Sequence, residues 1–383
     1  MSLAPNPVDG SVAAGFEPVA EAFERNFAEH GELGAAFAAA IDGELVVDLW
    51  GGVADREAGR PWERDTLQLI FSGTKGLVAI CLLLLIERGR LDLDAAVCDY
   101  WPEFAAAGKE TVTVRQVVSH AARLPGIARP LTAADVTDAR RMAELLAAQP
   151  QFDDPRAAHA YHPLTFGWLC GELVRRIDGR SVGRFFAEEV AEQLGLELYI
   201  GLPEALEPHV SRLELAAGWG TAGAFDPNAA RADDLRRTVF ANPDVWTRDG
   251  FAWNRPAYHR AEIAGAGGIG AARSIARLYA RLDRLLSPAT LRLGAGELVR
   301  RRDSLTGEPQ RFGVGFELQN ELRVFGPPEE GFGHCGAGGS VHGRWPSHRL
   351  GFSYAMNLMR DDCPEGDPRP RALLAALHRC VAR

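Results

Sequence analysis

Strand-like and helix-like stretches are unevenly distributed along these 383 residues: strands gather towards both ends and helices fill the middle. Near the start, residues 35–41 and 44–50 carry β character and are joined by Asp42-Gly43. That dipeptide favours a two-residue hairpin, because both positions tolerate positive φ. Gly51-Gly52 is expected to end the second strand. Strand character returns only at 313–319, 322–325, 339–344 and 350–357. In between, short helical stretches at 114–119, 135–148, 166–177 and 182–194 alternate with loops rich in proline and glycine. Further helices are expected at 16–30, from the spacing of its apolar residues, at 72–88, with Gly89 as its stop, and at 370–382. A chain of this pattern is expected to form a mixed α/β fold, with an antiparallel sheet flanked by the terminal helices and the 72–88 helix. Residues 1–93 plus 265–383 then make one discontinuous α/β domain, and 94–264 an inserted, mainly helical unit.

Apolar residues make up 46% of the chain and charged residues 24%, enough for a sizeable core without metals or disulfides. A formal charge of −9 and no basic run argue against a nucleic-acid partner. The six cysteines are dispersed and form no CxxC pair, so neither a metal site nor a disulfide framework is expected. The first seven residues lack the basic and apolar regions of an export signal. The longest apolar run, 77–86, is too short to span a bilayer and meets Glu87-Arg88. These features together predict a soluble, cytoplasmic protein whose partner is a small molecule, with no cofactor; they leave the oligomeric state open.

The chemistry centres on Ser72-Gly73-Thr74-Lys75 at the start of a helix. Residues three apart share a helix face, so the amine can reach the hydroxyl. Serine is a poor nucleophile until a base takes its proton. Lysine can be that base only if its pKa falls from about 10.4 toward 7, roughly 4 kcal/mol of differential solvation and charge interaction. The helix dipole supplies only about 0.3–1 kcal/mol, so burial must do most of it. A capping serine followed by a solvated lysine would give the same pattern. The composition favours the catalytic reading: the chain has 40 arginines and two lysines, Lys75 and Lys109. Arginine cannot lose its proton in a protein, and lysine stands where a deprotonatable amine is wanted. Lys109, in the polar loop 107–111, is expected to be solvated.

Ser72 to Lys75, with the helix running on to Gly89, resembles the active-site helix of the serine β-lactamase and penicillin-binding superfamily, in particular the class C-like branch that includes the class VIII carboxylesterases. The resemblance continues through Val112 to His120, Leu124-Pro125-Gly126, Gly267 to Ala276 and Gly331 to His334, in the family's order and over most of the chain. It implies a second element, a tyrosine in the helical unit, best matched by Tyr161 in Tyr161-His162-Pro163, which would pass the serine proton to the leaving group. The third element, Lys-Thr-Gly on a strand beside the nucleophile, is matched by His334-Cys335-Gly336, where glycine lets the backbone approach a substrate closely. By the same resemblance, the N–H groups of Ser72 and Ala337 form an oxyanion hole, in which one donor is typically worth about 2.7–4 kcal/mol. Two departures matter: His334 replaces the lysine that attracts a substrate carboxylate, and Pro163 replaces the asparagine of Tyr-x-Asn. Both favour a neutral, small carboxylic ester hydrolysed through an acyl-Ser72 intermediate. A cytoplasmic location agrees, since cell-wall substrates lie outside. A β-lactamase-like or amide hydrolase, an acyltransferase and an inactive binding protein remain alternatives.

Other patterns are weaker. Residues 218–223 and 265–270 match Gly-x-Gly-x-x-Gly but lack the preceding strand of a dinucleotide site. Gly179-Arg180-Ser181-Val182-Gly183 matches the nucleophile elbow, yet follows a helix rather than a strand, so Ser181 reads as an N-cap and as the main rival nucleophile. His120, next to Ser119, and Tyr100 read as structural, and Asp233-Asp234 and Asp361-Asp362 as solvated surface carboxylates.

Overall fold

The computed structural model describes residues 8–221, 223–361, 363 and 366–382; the seven N-terminal residues and Asp362, on which two of the expectations above rest, lie outside them. The two ends of the chain share a sheet of ten strands. Its order is Asp9–Val12, Glu44–Asp55, Gly34–Ile41, Leu350–Met356, Val341–Trp345, Phe332–Cys335, Glu317–Leu318, Pro309–Phe312 and Val299–Arg302, with Arg60–Pro61 added beside Glu44–Asp55. All its pairings are antiparallel.

Period-two alternation sorts the side chains between the two faces. Ala35, Phe37 and Ala39, with Leu350, Phe352 and Tyr354, face the terminal helices Glu17–Glu29 and Pro368–Val381, where Val19, Phe23, Leu373 and Leu377 complete a core. Ala36, Ala38 and Ala355 face the other way and admit the helix Ala272–Ala280 through Ala272 and Ala276. The helix Gly73–Glu87 is buried from Gly73 to Leu85. A helix apolar all round must be enclosed on every side, and here the same core takes in Phe332 of the sheet, Leu169 and Leu173 of the helix Thr165–Asp178, and Phe185. A three-stranded sheet, Gln68–Leu69, Gly268–Gly270 and Leu198–Ile200, ties the segment before the Ser72 helix to the largely helical middle of the chain. Among the described residues no helix is long and apolar enough to cross a membrane.

Three expectations about elements need correction. The second hairpin strand does not end at Gly51-Gly52 but runs to Asp55; Gly52 has φ +78°, and a Cβ there would lie 2.1 Å from the Leu33 carbonyl oxygen. Residues 322–325 form no strand but a turn, with Arg323 at φ +52°. The strand expected at 313–319 is only Glu317–Leu318, because Gly315 at φ +72° breaks it; its neighbour Pro309–Phe312 alternates in burial, but with the polar Gln310 on the buried face.

Candidate active site

The strand Gln68–Leu69 leads into Phe71, whose φ of +45° is unusual for a non-glycine residue. Its ring is held 5.2 Å from that of Trp253 and 5.5 Å from that of Trp246. This turn sets Ser72 at the N-cap of the helix. One turn on, Lys75 is fully buried, with Nζ 3.0 Å from Ser72 Oγ and 2.7 Å from both the Pro163 and Gly265 carbonyl oxygens. Burial holds its pKa far below the ordinary lysine value, and buried Glu317 opposes that shift. Pro163, which has no amide side chain to offer, contributes a backbone carbonyl.

Tyr161 lies in the loop before the helix Thr165–Asp178. Its phenol lines the same cavity as Ser72, and burial pushes its pKa well above the usual range, so it keeps its proton. Lys75 Nζ sits 4.9 Å from the Tyr161 ring centroid. His334 Nε2 is 3.4 Å from the Tyr161 hydroxyl, and its Nδ1 is 2.8 Å from the Cys335 carbonyl oxygen. The carbonyl requires a proton on Nδ1, which leaves Nε2 as an acceptor; burial brings the imidazole down to about 3, so the ring is neutral. Gly336 is required: a Cβ there would lie 2.2 Å from Ser340 Oγ and 2.4 Å from the Ile70 carbonyl oxygen. Among the described residues neither the Ser72 nor the Ala337 amide has an acceptor, and both residues line one cavity.

That cavity, about 350 Å³, brings together Ser72, Tyr161, His334, Gly336 and Ala337. Its lining includes the apolar Leu164, Phe225, Phe240 and Trp246 and the acidic Glu308 and Glu317. No sequence pattern pointed to Glu317. Its carboxylate accepts from the Cys335 N–H at 3.0 Å, and burial pushes its pKa up to about 7.

Ser181 is kept apart from this group. Its hydroxyl donates to Glu262 at 2.7 Å and caps Arg184 N, in a helix that follows another helix. Ser119 donates to the Arg115 carbonyl and does not engage His120, which is buried 4.6 Å from the Tyr161 ring. Tyr100 accepts from Asp92 N. Lys109 is not solvated but fully buried, donating to the carbonyl oxygens of Ala106, Ala147 and Gln149. Asp233 is no free surface group either: it pairs with Arg156, which holds it down to about 2, and caps Arg236 N. Asp361 lines the cavity and accepts from Gly220 N.

A serine at the mouth of a buried helix, a lysine one turn on, and, around them, an interior strand of the large sheet and the largely helical middle of the chain define a β-lactamase-type serine hydrolase. Residues 19–377 match the family described as Beta-lactamase, and the chain belongs to it. It is 34% identical over 360 residues, 91% of this chain and 82% of the other, to the Esterase/beta-lactamase LipL of Mycobacterium tuberculosis. Over 202 residues, about half of each chain, it is 32% identical to Esterase EstB of Burkholderia gladioli. Among solved structures it is similar to a family VIII carboxylesterase, with TM-score 0.87 and 37% identity over 98% of this chain and 100% of that one. A penicillin-binding protein homolog from Caulobacter crescentus gives the same figures.

Proposed function

We propose that the chain is a serine carboxylesterase that hydrolyses small, neutral esters through an acyl-Ser72 intermediate. The observation that carries this is the set of partners around Lys75. A neutral amine has two N–H donors and one lone pair; the Pro163 and Gly265 carbonyls take the two protons, which leaves the lone pair facing Ser72 Oγ. Lys75 takes the Ser72 proton as Oγ attacks the ester carbonyl, and the carbonyl oxygen is received by the Ser72 and Ala337 N–H groups. The phenol of Tyr161 donates its proton to the departing alkoxide and is reprotonated at the expense of Lys75. Water then attacks the acyl-enzyme through the same groups in reverse. Neutral His334 offers no charge to a substrate carboxylate, and the cavity lining joins Glu308 and Glu317 to Arg360 rather than presenting a cationic cluster. Leu164, Phe225 and Trp246 suit a short acyl chain or a small aryl alcohol. The test is p-nitrophenyl butyrate hydrolysis by the protein beside its Ser72→Ala and Ser181→Ala variants. Activity lost only without Ser72 is expected; activity that survives in Ser72→Ala but vanishes without Ser181 overturns the mechanism.

A further inference from the structure

Tyr161 must place its hydroxyl between Ser72 and a leaving group, yet its backbone is in neither helix nor strand. What holds it comes from the hairpin of Val299–Arg302 and Pro309–Phe312, at the far edge of the sheet. Asp303, 3% exposed, sits where that hairpin turns. Its Oδ1 accepts from Leu305 N at 2.9 Å, Thr306 N at 2.8 Å and Thr306 Oγ1 at 3.2 Å, which fixes the carboxylate on the hairpin. Its Oδ2 accepts from Gln310 Nε2 at 2.8 Å and, across to the other segment, from Tyr161 N at 2.7 Å. The same hairpin grips the chain just before Tyr161. Ser304 Oγ donates to the Arg156 carbonyl at 2.7 Å, Ser304 N to the His159 carbonyl at 3.2 Å, and Arg301 Nη1 to the Ala158 carbonyl at 2.7 Å. Arg301 Nη2 also donates to the carbonyl of His120, whose ring lies against that of Tyr161.

We infer that Asp303 is a positioning residue, the carboxylate through which the 299–312 hairpin sets the Tyr161 hydroxyl over Ser72. The inference rests on the proposed role of Tyr161 as the acid that protonates the leaving group. All five groups around Asp303 are donors, so asparagine turns its NH₂ against at least two of them whichever way it lies. The backbone at Tyr161 then shifts, and a misplacement of about 1 Å at a proton donor is enough for a loss of about 10²-fold.

The experiment compares kcat/KM on p-nitrophenyl butyrate, whose leaving group needs little protonation, with ethyl butyrate, whose leaving group needs it fully. The enzymes are the unmodified protein, Asp303→Asn, Tyr161→Phe and the double variant. The expected result is that Asp303→Asn, like Tyr161→Phe, loses about 10²-fold on ethyl butyrate and less than about 3-fold on the nitrophenyl ester, and adds little in the Tyr161→Phe background. Equal losses on both esters, or a full additional loss in the double variant, overturn the inference and leave Tyr161 its role. Tyr161→Phe showing no leaving-group dependence removes that role itself, and the inference with it. Should Asp303→Asn fail to fold, Gln310→Leu, which strips one donor from Oδ2, is read by the same criteria, with a smaller loss expected.

Discussion

Both lysines are buried with carbonyl oxygens around the amine, and they differ in one partner. Lys109 Nζ meets three carbonyls, whereas Lys75 Nζ meets two and a serine hydroxyl. A lysine ringed by acceptors keeps its protons as a staple; one facing a hydroxyl has a proton to exchange. Lys75→Arg therefore separates charge from basicity, because a guanidinium does not deprotonate. Esterase activity below about a thousandth of the original is expected, and more than a tenth remaining would show that the amine is not the base. Glu317 gives a second prediction. Its carboxyl holds its proton up to about pH 7 in the folded protein against an ordinary 4.5, so the folded state binds the extra proton between those values and stability falls as pH rises through them. Glu317→Gln cannot ionise. At pH 8 it is expected to be more stable than the original by up to roughly 3 kcal/mol, with the difference gone below pH 4.5, measured as denaturant midpoints at the two pH values. At this scale spacing and composition pointed to Ser72 and Lys75, and only the family resemblance pointed to Tyr161; the structure brings the three side chains together. Lys109 was misread because its four polar or small loop neighbours say nothing of a helix end folding over it, and Glu317 was missed because its environment comes from Cys335, eighteen positions away.

The segment from Gly336 to Ser340 carries Ala337, whose N–H has no backbone acceptor among the described residues, on a backbone that touches the nucleophile turn at Ile70. Gly336→Ala drives a methyl into the Ile70 carbonyl and Ser340 Oγ, so the segment must move away from Ser72. A fall in kcat of about 10²-fold with a smaller change in KM is expected, and an unchanged kcat would show that the Ala337 N–H contributes nothing. The hairpin at Asp42-Gly43 and the apolar Ser72 helix were readable because turn chemistry and burial act locally. The hairpin at 299–312 was not: Val299–Arg302 is almost all arginine and Pro309–Phe312 begins with proline. Its strands are set by pairing and by their grip on 156–161, and neither leaves a periodic trace.

The mixed fold itself was legible because strands at the two ends of a sequence can be satisfied only by each other. Their meeting is fixed by a buried cluster. Arg369, fully buried, pairs with Glu32 at 3.0 Å and Asp367 at 2.6 Å, and donates to the Gly338 carbonyl, one residue from Ala337. Tyr354 donates to the same Glu32. Arg369→Leu leaves Glu32 and Asp367 without their cation and is expected to cost about 3–5 kcal/mol, measured by chemical denaturation. Cephalosporin turnover by the intact protein checks selectivity at this scale: with Glu308 and Glu317 on the cavity wall, turnover far below that of a neutral butyrate ester is expected. The shared sheet also imposes an order of events during synthesis. Ser72 and Lys75 leave the ribosome early, but the strand that pairs with Gly34–Ile41 is Leu350–Met356, and Gly336, Ala337 and Arg369 come almost as late. A nascent chain therefore holds its nucleophile before the Ala337 N–H proposed to act beside it, and its lysine before the sheet that helps to enclose it is complete. A chain cut short before Gly336 is then expected to show no esterase activity, however intact its Ser72 and Lys75.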